Sequence, residues 1–222
     1  AAYKMIILTQ FAFGKDVTMD QVKVKGIRGI QKADIAEAKR LGYVIKLLGI
    51  AKLVNGHIDV SVGPVLVPQT QPLAAIQNEN NAVVVTGSAV GETMFYGPGA
   101  GELPTANSVL SDITSVTKNI VMGTTGFSFN DYTNELELAD DSEVVYPYYL
   151  SLQVLDKPGQ MLKLTEIMTE YDASFRLITQ TQMNDRFARV SMVTHEMSES
   201  QLNHIVEKLN ELEEISVLAA YK

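Results

Sequence analysis

The sequence predicts an α+β protein in two parts, a mixed or antiparallel sheet with covering helices followed by a β-α-β-β-α-β unit. Two observations predict this class. Helical periodicity alternates with β-branched runs through residues 1–122, and from residue 147 the two patterns recur in the order strand, helix, strand, strand, helix, strand. Between the two parts, residues 123–146 lose periodicity and are rich in Gly, Thr, Ser, Asn and Asp, which is typical of a linker.

The first predicted element is an amphipathic helix, AAYKMIILTQFAFG, which ends at Gly14. It begins in mid-pattern without a capping residue, so we expect the sequence to be part of a longer chain. A second helix is predicted within residues 26–42, where Asp34 lies near its start and Gly42 ends it. Both helices are predicted to cover one face of a sheet.

Two strands are predicted next, because YVIKLLGIAKLV and HIDVSVGPVLV are rich in β-branched residues. They flank Asn55-Gly56, the strongest short signal of a hairpin. Proline cannot donate a hydrogen bond to a neighbouring strand. Pro64 and Pro68 therefore place the second strand at a sheet edge or at a strand end.

The rest of the first part follows the same alternation. PLAAIQ predicts a short helix, and NNAVVVTGSAVGETMFYG predicts two strands that are broken at residues 87–91. A glycine-rich loop then leads into a helix that ends near residue 122. These elements complete the predicted sheet and its covering helices.

The second part has a more regular pattern. Its predicted strands are YYLSLQVLD, ASFRLITQTQ, RFARVSMVTHE and ISVLAAYK, and the second of its two helices opens at Ser198 as the N-cap. The order of elements is that of the ferredoxin-like unit. The apolar residues predicted to point inward from the two helices are Met161, Leu164, Ile167, Met168, Leu202, Ile205, Val206, Leu209 and Leu212.

Composition excludes several classes of protein. The 222 residues are 46% hydrophobic, which suffices for a core, and they include no cysteine, so neither disulfides nor thiolate metal sites are predicted. A net charge of -8 argues against bulk nucleic-acid binding. No apolar stretch approaches the roughly 18 residues that span a membrane. We therefore expect a cytoplasmic protein with neither a nucleic acid nor a membrane as partner.

The charge is unevenly distributed along the chain. Residues 1–52 carry ten Lys and Arg against four acidic residues, whereas residues 53–146 carry one against eleven. The basic front is either a solvated helical face or a surface that faces an anionic ligand, and both interpretations stay open at this point.

One turn in the second part has the composition of a ligand site. Leu155-Asp156-Lys157-Pro158-Gly159 directly precedes the first helix of that part. Pro158 fixes its own φ, Gly159 lets the backbone approach a ligand, and the helix that follows presents unpaired N–H groups. A carboxylate suits such a site. A tight strand–helix turn that binds nothing would have the same composition.

This turn closely resembles the D-x-P-G turn of ACT domains, and the resemblance covers residues 148–222. It implies a regulatory ACT domain with the ferredoxin-like fold and an amino-acid effector. By this resemblance, Asp156, Lys157 and Gly159 are the candidate effector-binding residues.

The glycine-rich loop, GPGAGELPTANSVLSDI at residues 97–113, is a weak phosphate signal by itself. It is neither a Walker loop nor G-x-G-x-x-G, and a flexible strand–helix connection explains it equally well. It nevertheless resembles the G-x-G-A-G-x-x-P-T-A-x-S-V-x-x-D block of homoserine dehydrogenases almost letter for letter. That resemblance implies that Gly99, Gly101, Pro104 and Thr105 line the cleft of a NAD(P) cofactor.

Lys4 would be an ordinary surface lysine if it were judged alone. The family pattern D-x-x-x-K-x-x-I-L matches Lys4 and the residues after it, while the aspartate of the pattern falls before residue 1. The resemblance implies that Lys4 is catalytic, contacting the substrate oxygen and donating a proton when the aldehyde is reduced. An ammonium suits this role because the developing alkoxide needs both a cation and a proton.

Two further blocks, residues 22–30 and 42–51, agree with the family, and two positions depart from it. Lys25 stands where the family often has Glu, and Gln71 where it often has His. His57, His195 and His204 are scattered without the spacing of metal ligands on one element, so no metal site is predicted.

The resemblance implies an enzyme that interconverts L-homoserine and L-aspartate 4-semialdehyde with NAD(P), on the way to threonine and methionine. Residues 1–122 would be the substrate-binding and dimerisation domain, in which residues 97–122 return to a nucleotide-binding domain that this sequence lacks. Residues 123–146 would be the linker and residues 147–222 the ACT domain, with threonine as the effector and a homodimer or tetramer as the assembly. We expect the isolated chain to bind no cofactor and to be inactive. The alternative is that it is a non-catalytic amino-acid-binding and dimerisation module.

Overall fold

The computed structural model describes residues 1–126 and 135–222 of the chain. Its elements in chain order are α1 (Ala2–Phe13), β1 (Lys23–Val24), α2 (Lys32–Arg40), β2 (Tyr43–Val54), β3 (His57–Pro68), β4 (Asn80–Gly87), β5 (Gly91–Pro98), α3 (Glu102–Met122), β6 (Val145–Tyr146), β7 (Tyr149–Leu155), α4 (Gln160–Glu170), β8 (Phe175–Gln182), β9 (Phe187–Thr194), β10 (Met197–Ser198), α5 (Glu199–Asn210) and β11 (Ile215–Tyr221). Short 3-10 helices form at Met19–Gln21 and Pro72–Ala75.

The chain divides into two compact units. The first comprises residues 1–66 and 132–222, and the second comprises residues 67–131. The first unit thus includes both the front of the chain and its C-terminal part. The limits of these units describe which residues pack together in space. The boundaries predicted at residues 122 and 146 describe segments of the sequence instead, so they stay a prediction.

Helix α1 ends as predicted and packs on the front sheet. Gly14 closes the helix with φ 65, a left-handed conformation that glycine adopts at little cost. Gly49 of β2 lies against Met5, so close that an added Cβ would overlap the methionine side chain. Met5 belongs to a small core with Val60 and Val62 of β3. The position of α1 on the sheet is therefore set by a glycine in the strand beneath it.

The front sheet has three strands in the order β1-β3-β2. Asn55 and Gly56, with φ 52 and 89, form the predicted hairpin turn, since positive φ at both central residues matches the twist of a hairpin. Of the two predicted positions for the proline-containing strand, the sheet edge was wrong, because β3 is the central strand, whereas Pro68 does stand at the strand end. Pro64 is tolerated because β1 pairs with β3 only at Ser61 and Val62, so the missing N–H falls beyond the last paired residue.

The C-terminal part folds as the predicted ferredoxin-like unit, with an antiparallel sheet in the order β11-β7-β9-β8. Helices α4 and α5 cover one face of this sheet. Ser198 caps α5 by accepting a hydrogen bond from the Gln201 N–H at 3.1 Å. All nine apolar residues predicted to point inward take part in one core, in which Leu164, Met168, Leu202, Ile205 and Leu209 are buried and Met161, Ile167, Val206 and Leu212 are partly buried.

The other face of that sheet is covered as well. Tyr149 and Tyr221 stack there at 5.3 Å between ring centroids, in a cluster that also contains Val193. Residues from the front of the chain pack against this cluster, namely Ile30, Leu41, Ile45 and Leu66. The sheet is thus enclosed between its own helices and the front of the same unit.

Part of the predicted linker is ordered by contacts with the rest of the first unit. Strand β6 pairs with β10, and Ile58 bridges to Leu138. Residues 127–134 lie outside the described part of the chain, so the prediction for that stretch of the linker cannot be compared with the structure.

The second unit contains the β4-β5 hairpin, paired from Asn80↔Pro98 to Gly87↔Gly91, and the 21-residue helix α3. No residue of α3 is buried, and its apolar side chains Leu103, Val109, Leu110, Ile113, Val116, Ile120, Val121 and Met122 are exposed. Among the helices described, none is long and apolar enough to cross a membrane.

Candidate functional site

Lys4 lies on the outer face of α1, one residue before the buried Met5. Its side chain is exposed and, within the described residues, forms no hydrogen bond or ion pair. Tyr3, Ile7 and Phe11, which are 71%, 50% and 45% exposed, follow the same side of the helix at spacings of four residues. The face around Lys4 is therefore open and apolar, which suits a contact with another molecule or domain.

The glycine-rich loop belongs to the second unit and ends at the N-terminus of α3. Gly101 is the N-cap with φ 123, a conformation that side-chain-bearing residues avoid, and no side chain caps the helix. The Gly99 N–H donates to the Glu79 carbonyl at 3.0 Å, and an added Cβ at Gly99 would overlap Asn81. Glycine is therefore needed at position 99 because a side chain there would collide with Asn81 of strand β4, whether or not a ligand binds beside it.

The predicted cofactor residues fit part of a dinucleotide site. Gly99, Gly101 and Thr105 are exposed, and the uncapped first turn of α3 offers N–H groups to a polar ligand. The first turn also contains Glu102, however, and residues 97–105 include no basic side chain that could balance a pyrophosphate. The loop can therefore form one wall of the site, while the charge of the phosphates must be balanced elsewhere.

The predicted effector turn stands at the N-terminus of α4. Gly159 is the N-cap with φ 91, and no side chain caps the helix. The Asp156 N–H donates to the Arg186 carbonyl at 2.9 Å, and Gln180 Nε2 donates to Asp156 Oδ1 at 3.4 Å, so the turn is held to the β8-β9 end of the sheet. A Cβ added at Gly159 would meet nothing within 4 Å, which leaves open space above the helix N-terminus.

The first residue of α4 adds a polar atom to this turn. Gln160 is 8% exposed, and its Oε1 has no hydrogen-bond partner among the described residues. An unpaired buried oxygen is costly, so a donor supplied by a ligand would stabilise it. The N-terminus of α4 therefore offers N–H donors to a carboxylate, and Gln160 adds an unpaired buried oxygen at the first residue of the helix.

A buried ion pair that the sequence did not predict joins α2 to β9. Arg189 Nη1 donates to Asp34 Oδ1 at 2.7 Å and to Ser151 Oγ at 3.0 Å, and Arg189 Nη2 donates to Gln31 Oε1 at 2.9 Å. Asp34 was predicted only as a residue near the helix start, a role it also fills by accepting from the Gln31 N–H at 3.1 Å. Because the two partners are 155 residues apart, no local pattern could have paired them.

A second polar contact lies beside this pair. The Glu37 carboxylate accepts hydrogen bonds from Arg40, at 2.6 Å from Nη2 to Oε1, and from the Thr179 hydroxyl of β8. The Arg40 hydrogen bond is the largest cause that lowers the pKa of Glu37, and the Thr179 bond lowers it further against the opposing effect of burial. Helix α2 is thus bound to two neighbouring strands of the ferredoxin-like sheet.

The C-terminus of the chain is anchored in a third polar cluster. The Tyr146 hydroxyl donates to the buried Asp59 at 2.8 Å, and Lys222 Nζ lies 3.5 Å from the same carboxylate. Lys222 and Lys52 also lie over the Tyr146 ring, at 4.3 Å and 3.7 Å from its centroid. Burial, followed by the charge of Asp59, raises the pKa of Tyr146 far above its ordinary value.

Two of the three histidines have aromatic or acidic neighbours. His57 Nδ1 lies 2.9 Å from Glu143, and His204 stacks on Tyr171 at 5.7 Å. Across residues 1–126 and 135–222, no group of three His, Cys, Asp or Glu side chains could hold a metal ion.

Comparison with known proteins gives two family matches. Residues 1–114 match the family model described as homoserine dehydrogenase, and residues 148–214 match the ACT domain. The first matched range includes the Lys4 helix and the glycine-rich loop, and the second includes the turn at Asp156 to Gly159.

Individual relatives are similar over nearly the whole chain. The homoserine dehydrogenase of Bacillus subtilis is 45% identical over 215 residues, which are 96% of this chain and 50% of that protein. The homoserine dehydrogenase of Lactococcus lactis is 39% identical over 222 residues, 100% of this chain and 52% of that protein. This chain therefore spans about half the length of the curated relatives it matches.

A solved structure is similar in fold as well. The homoserine dehydrogenase from Thiobacillus denitrificans superposes with a TM-score of 0.87 at 30% identity, over 97% of this chain and 50% of that chain. A second, from Staphylococcus aureus, superposes with a TM-score of 0.67 at 28% identity.

Proposed function

Because the chain belongs to the homoserine dehydrogenase family and ends in an ACT domain, we propose that it forms the substrate-binding and regulatory half of a homoserine dehydrogenase. The complete enzyme would interconvert L-homoserine and L-aspartate 4-semialdehyde with NAD(P), on the way to threonine and methionine. The observation that carries this proposal is the family match over residues 1–114, which includes Lys4 on the open face of α1.

Lys4 would act on the oxygen of the substrate carbonyl. Reduction of the aldehyde builds negative charge on that oxygen, and an ammonium both stabilises the charge and supplies the proton that completes the alcohol. In the reverse direction the amine would accept the proton of the homoserine hydroxyl. The absence of any ion-pair partner for Lys4 within the described residues leaves its ammonium available for this work.

A nicotinamide cofactor would supply the hydride when bound. Gly99, Gly101, Pro104 and Thr105 would contribute one wall of its site through exposed backbone and the uncapped N-terminus of α3. Exposed apolar side chains on α3 support a further domain packing on this helix, since such surfaces are normally covered. That domain would carry the remaining contacts to the cofactor.

Strand β2 supports the proposal of a dimer or tetramer. It is an edge strand of the three-stranded sheet and is 12 residues long. Leu47 and Leu53 on it are 46% and 51% exposed. A long, partly apolar edge readily pairs with another strand, and a two-fold axis beside it would join the sheets of two subunits.

The ACT domain would carry feedback control. Its turn at Asp156, Lys157 and Gly159 offers an uncapped helix N-terminus to the carboxylate of an amino acid, and we propose threonine as that effector. The Arg189–Asp34 pair and the Thr179–Glu37 bond link the same sheet to α2. Allosteric coupling of this kind is typically worth about 1–3 kcal/mol.

A second function stays open beside this one and rests on the ACT match over residues 148–214. As a separate polypeptide the chain would be an amino-acid-binding and dimerisation module without catalysis.

One experiment separates the two functions. Oxidation of NADPH with L-aspartate 4-semialdehyde is followed for this chain alone and for a longer protein in which a nucleotide-binding domain precedes it. We expect turnover by the longer protein only. Turnover of about 1 s⁻¹ or faster by the chain alone would contradict the binding-module alternative, and no turnover by either protein would contradict the enzyme proposal.

A further inference from the structure

A cavity of about 280 Å³ lies inside the first unit, between the front sheet and the ACT sheet. Leu48 and Ile50 of β2 and Lys25 line it from the front of the chain. Tyr148, which precedes β7, and Ala220 of β11 line it from the ACT domain. Neither the catalytic role proposed for Lys4 nor the effector turn makes use of this space.

The cavity is separate from the surface that carries Lys4. Successive residues of a strand point to opposite faces of its sheet. Gly49 faces Met5 of α1, so its neighbours Leu48 and Ile50 face the other way, into the cavity. The cavity and helix α1 therefore lie on opposite faces of the front sheet.

The cavity is also far from the effector turn. Tyr148 precedes strand β7 and Asp156 follows it, with eight residue steps between them. At about 3.3 Å per residue, this separation is roughly 26 Å. A ligand of amino-acid size cannot touch both places at once.

Lys25 brings a positive charge to the cavity wall, which Glu199 also lines. Its side chain is exposed along part of its length, but its ammonium donates to the Ala220 carbonyl. Within the described residues no carboxylate pairs with it. By contrast, Lys23 pairs with Glu199 at 3.0 Å and Lys222 lies 3.5 Å from Asp59. Burial lowers the pKa of Lys25, and the charge of Glu199 opposes that effect.

Tyr148 brings an unused hydroxyl. The residue is 1% exposed, and its hydroxyl has no hydrogen-bond partner among the described residues. A buried hydroxyl without a partner costs free energy that an acceptor would recover. An oxygen ligand in the cavity would supply that acceptor.

We propose that this cavity binds a small carboxylate of amino-acid size, with the Lys25 ammonium as its counter-ion and the Tyr148 hydroxyl as a hydrogen-bond donor. Leu48 and Ile50 provide an apolar wall for a short aliphatic chain. The volume lies just below the roughly 300–1,000 Å³ of pockets for drug-sized ligands, which favours a ligand of fewer atoms. The site is independent of the proposed dehydrogenase activity.

The test is a calorimetric titration of the whole chain with three four-carbon probes. L-2-Aminobutyrate and 2-hydroxybutyrate both carry the carboxylate, whereas 2-aminobutan-1-ol replaces it by an alcohol. We expect saturable binding of the carboxylates and none of the amino alcohol. Binding of L-2-aminobutyrate alone would count against the cavity, because the effector turn is proposed to bind amino acids and the cavity only requires a carboxylate. Equal binding of the amino alcohol, or no binding of any probe, would overturn the proposal.

Single-residue variants test whether the carboxylates bind in the cavity. Lys25→Gln and Tyr148→Phe should each weaken carboxylate binding by about tenfold or more, while Lys32→Gln, at an exposed lysine of α2 outside the cavity, should leave it unchanged. Unchanged affinity in both cavity variants would refute the cavity site. Tyr148→Phe removes only a hydroxyl without a partner, so thermal unfolding should show a folded variant even if Lys25→Gln folds poorly.

Discussion

Arg189 Nη1 lies 2.7 Å from Asp34 Oδ1, and this pair joins strand β9 of the ACT domain to helix α2 at the front of the chain. The side chains of Arg189 and Asp34 are 9% and 0% exposed. Ser151 and Gln31 take further hydrogen bonds from the guanidinium. The two modules thus share a charged, desolvated contact rather than a solvent-filled boundary.

Replacing Arg189 by Met should lower the free energy of unfolding by about 3–5 kcal/mol, because it leaves the Asp34 carboxylate buried without a counter-charge. Urea unfolding at neutral pH measures the change. The double variant Arg189→Met/Asp34→Asn should recover part of the loss, since it removes the buried charge as well. A loss as small as that of the exposed control Lys208→Met would show that the pair is not buried in solution.

Replacing Gly49 by Ala should cost about 1–3 kcal/mol by overpacking, since the new Cβ would overlap Met5. Gly63→Ala in the adjacent strand is the matched control, because its Cβ would make only ordinary contact, at 3.4 Å from the Lys25 Cβ. Met5→Ala removes the side chain that the new Cβ would overlap. In that variant, Gly49→Ala should therefore lower the free energy of unfolding by less. Equal stabilities of the two alanine variants would contradict the described position of α1, and with it the position of Lys4.

Replacing Lys4 by Ala should reduce turnover by about 10²–10⁴ in a longer protein that carries the nucleotide-binding domain, the usual effect of losing a placed acid. Thermal unfolding should change little, because the side chain is exposed on α1. Lys32→Ala, an exposed lysine at the start of α2, controls for the loss of a positive charge. Near-normal turnover of Lys4→Ala would remove this residue from the mechanism.

Threonine should bind the chain saturably in a calorimetric titration, with L-methionine, L-isoleucine and L-serine as comparisons. Gly159→Asn should weaken that binding, because an asparagine at this N-cap would accept the helix N–H groups that the effector carboxylate needs. Asparagine tolerates a positive φ, so the variant should stay stable, whereas Gly159→Ala is strained at φ 91. Unchanged threonine affinity in Gly159→Asn would place the effector elsewhere.

Acid should destabilise the protein partly through Glu37. Its folded pKa lies below the unfolded value of 4.5, chiefly because Arg40 donates hydrogen bonds to the carboxylate. The stability from this group is therefore fully present above pH 4.5 and is lost as the pH falls from there through the folded pKa. Glu37→Gln should flatten the fall in unfolding free energy between about pH 5 and pH 3. A fall as steep as that of the exposed control Glu166→Gln would contradict this account.

Local patterns predicted most of the fold. The opening helix, the Asn55-Gly56 hairpin, the β4-β5 pair and the ferredoxin-like order each rest on periodicity or turn chemistry within a few residues, and the structure confirms them. The central position of β3 could not be predicted, because its second neighbour β1 has only two residues and therefore no periodicity. The Arg189–Asp34 pair and the cavity at Lys25 depend on residues far apart in sequence, and only the folded chain brings them together.

Enclosure of the ACT sheet on both faces limits how the domain can be engineered. Excision at residue 147 would expose Tyr149 and Tyr221 and leave Arg189 without its carboxylate partner. The isolated ACT domain would therefore present an apolar surface with an unpaired charge to solvent. Swapping this domain between enzymes would demand that the matching surface of α2 travel with it. The ACT domain and the front of the chain are therefore expected to diversify as one inherited unit, with each constraining the changes that the other tolerates.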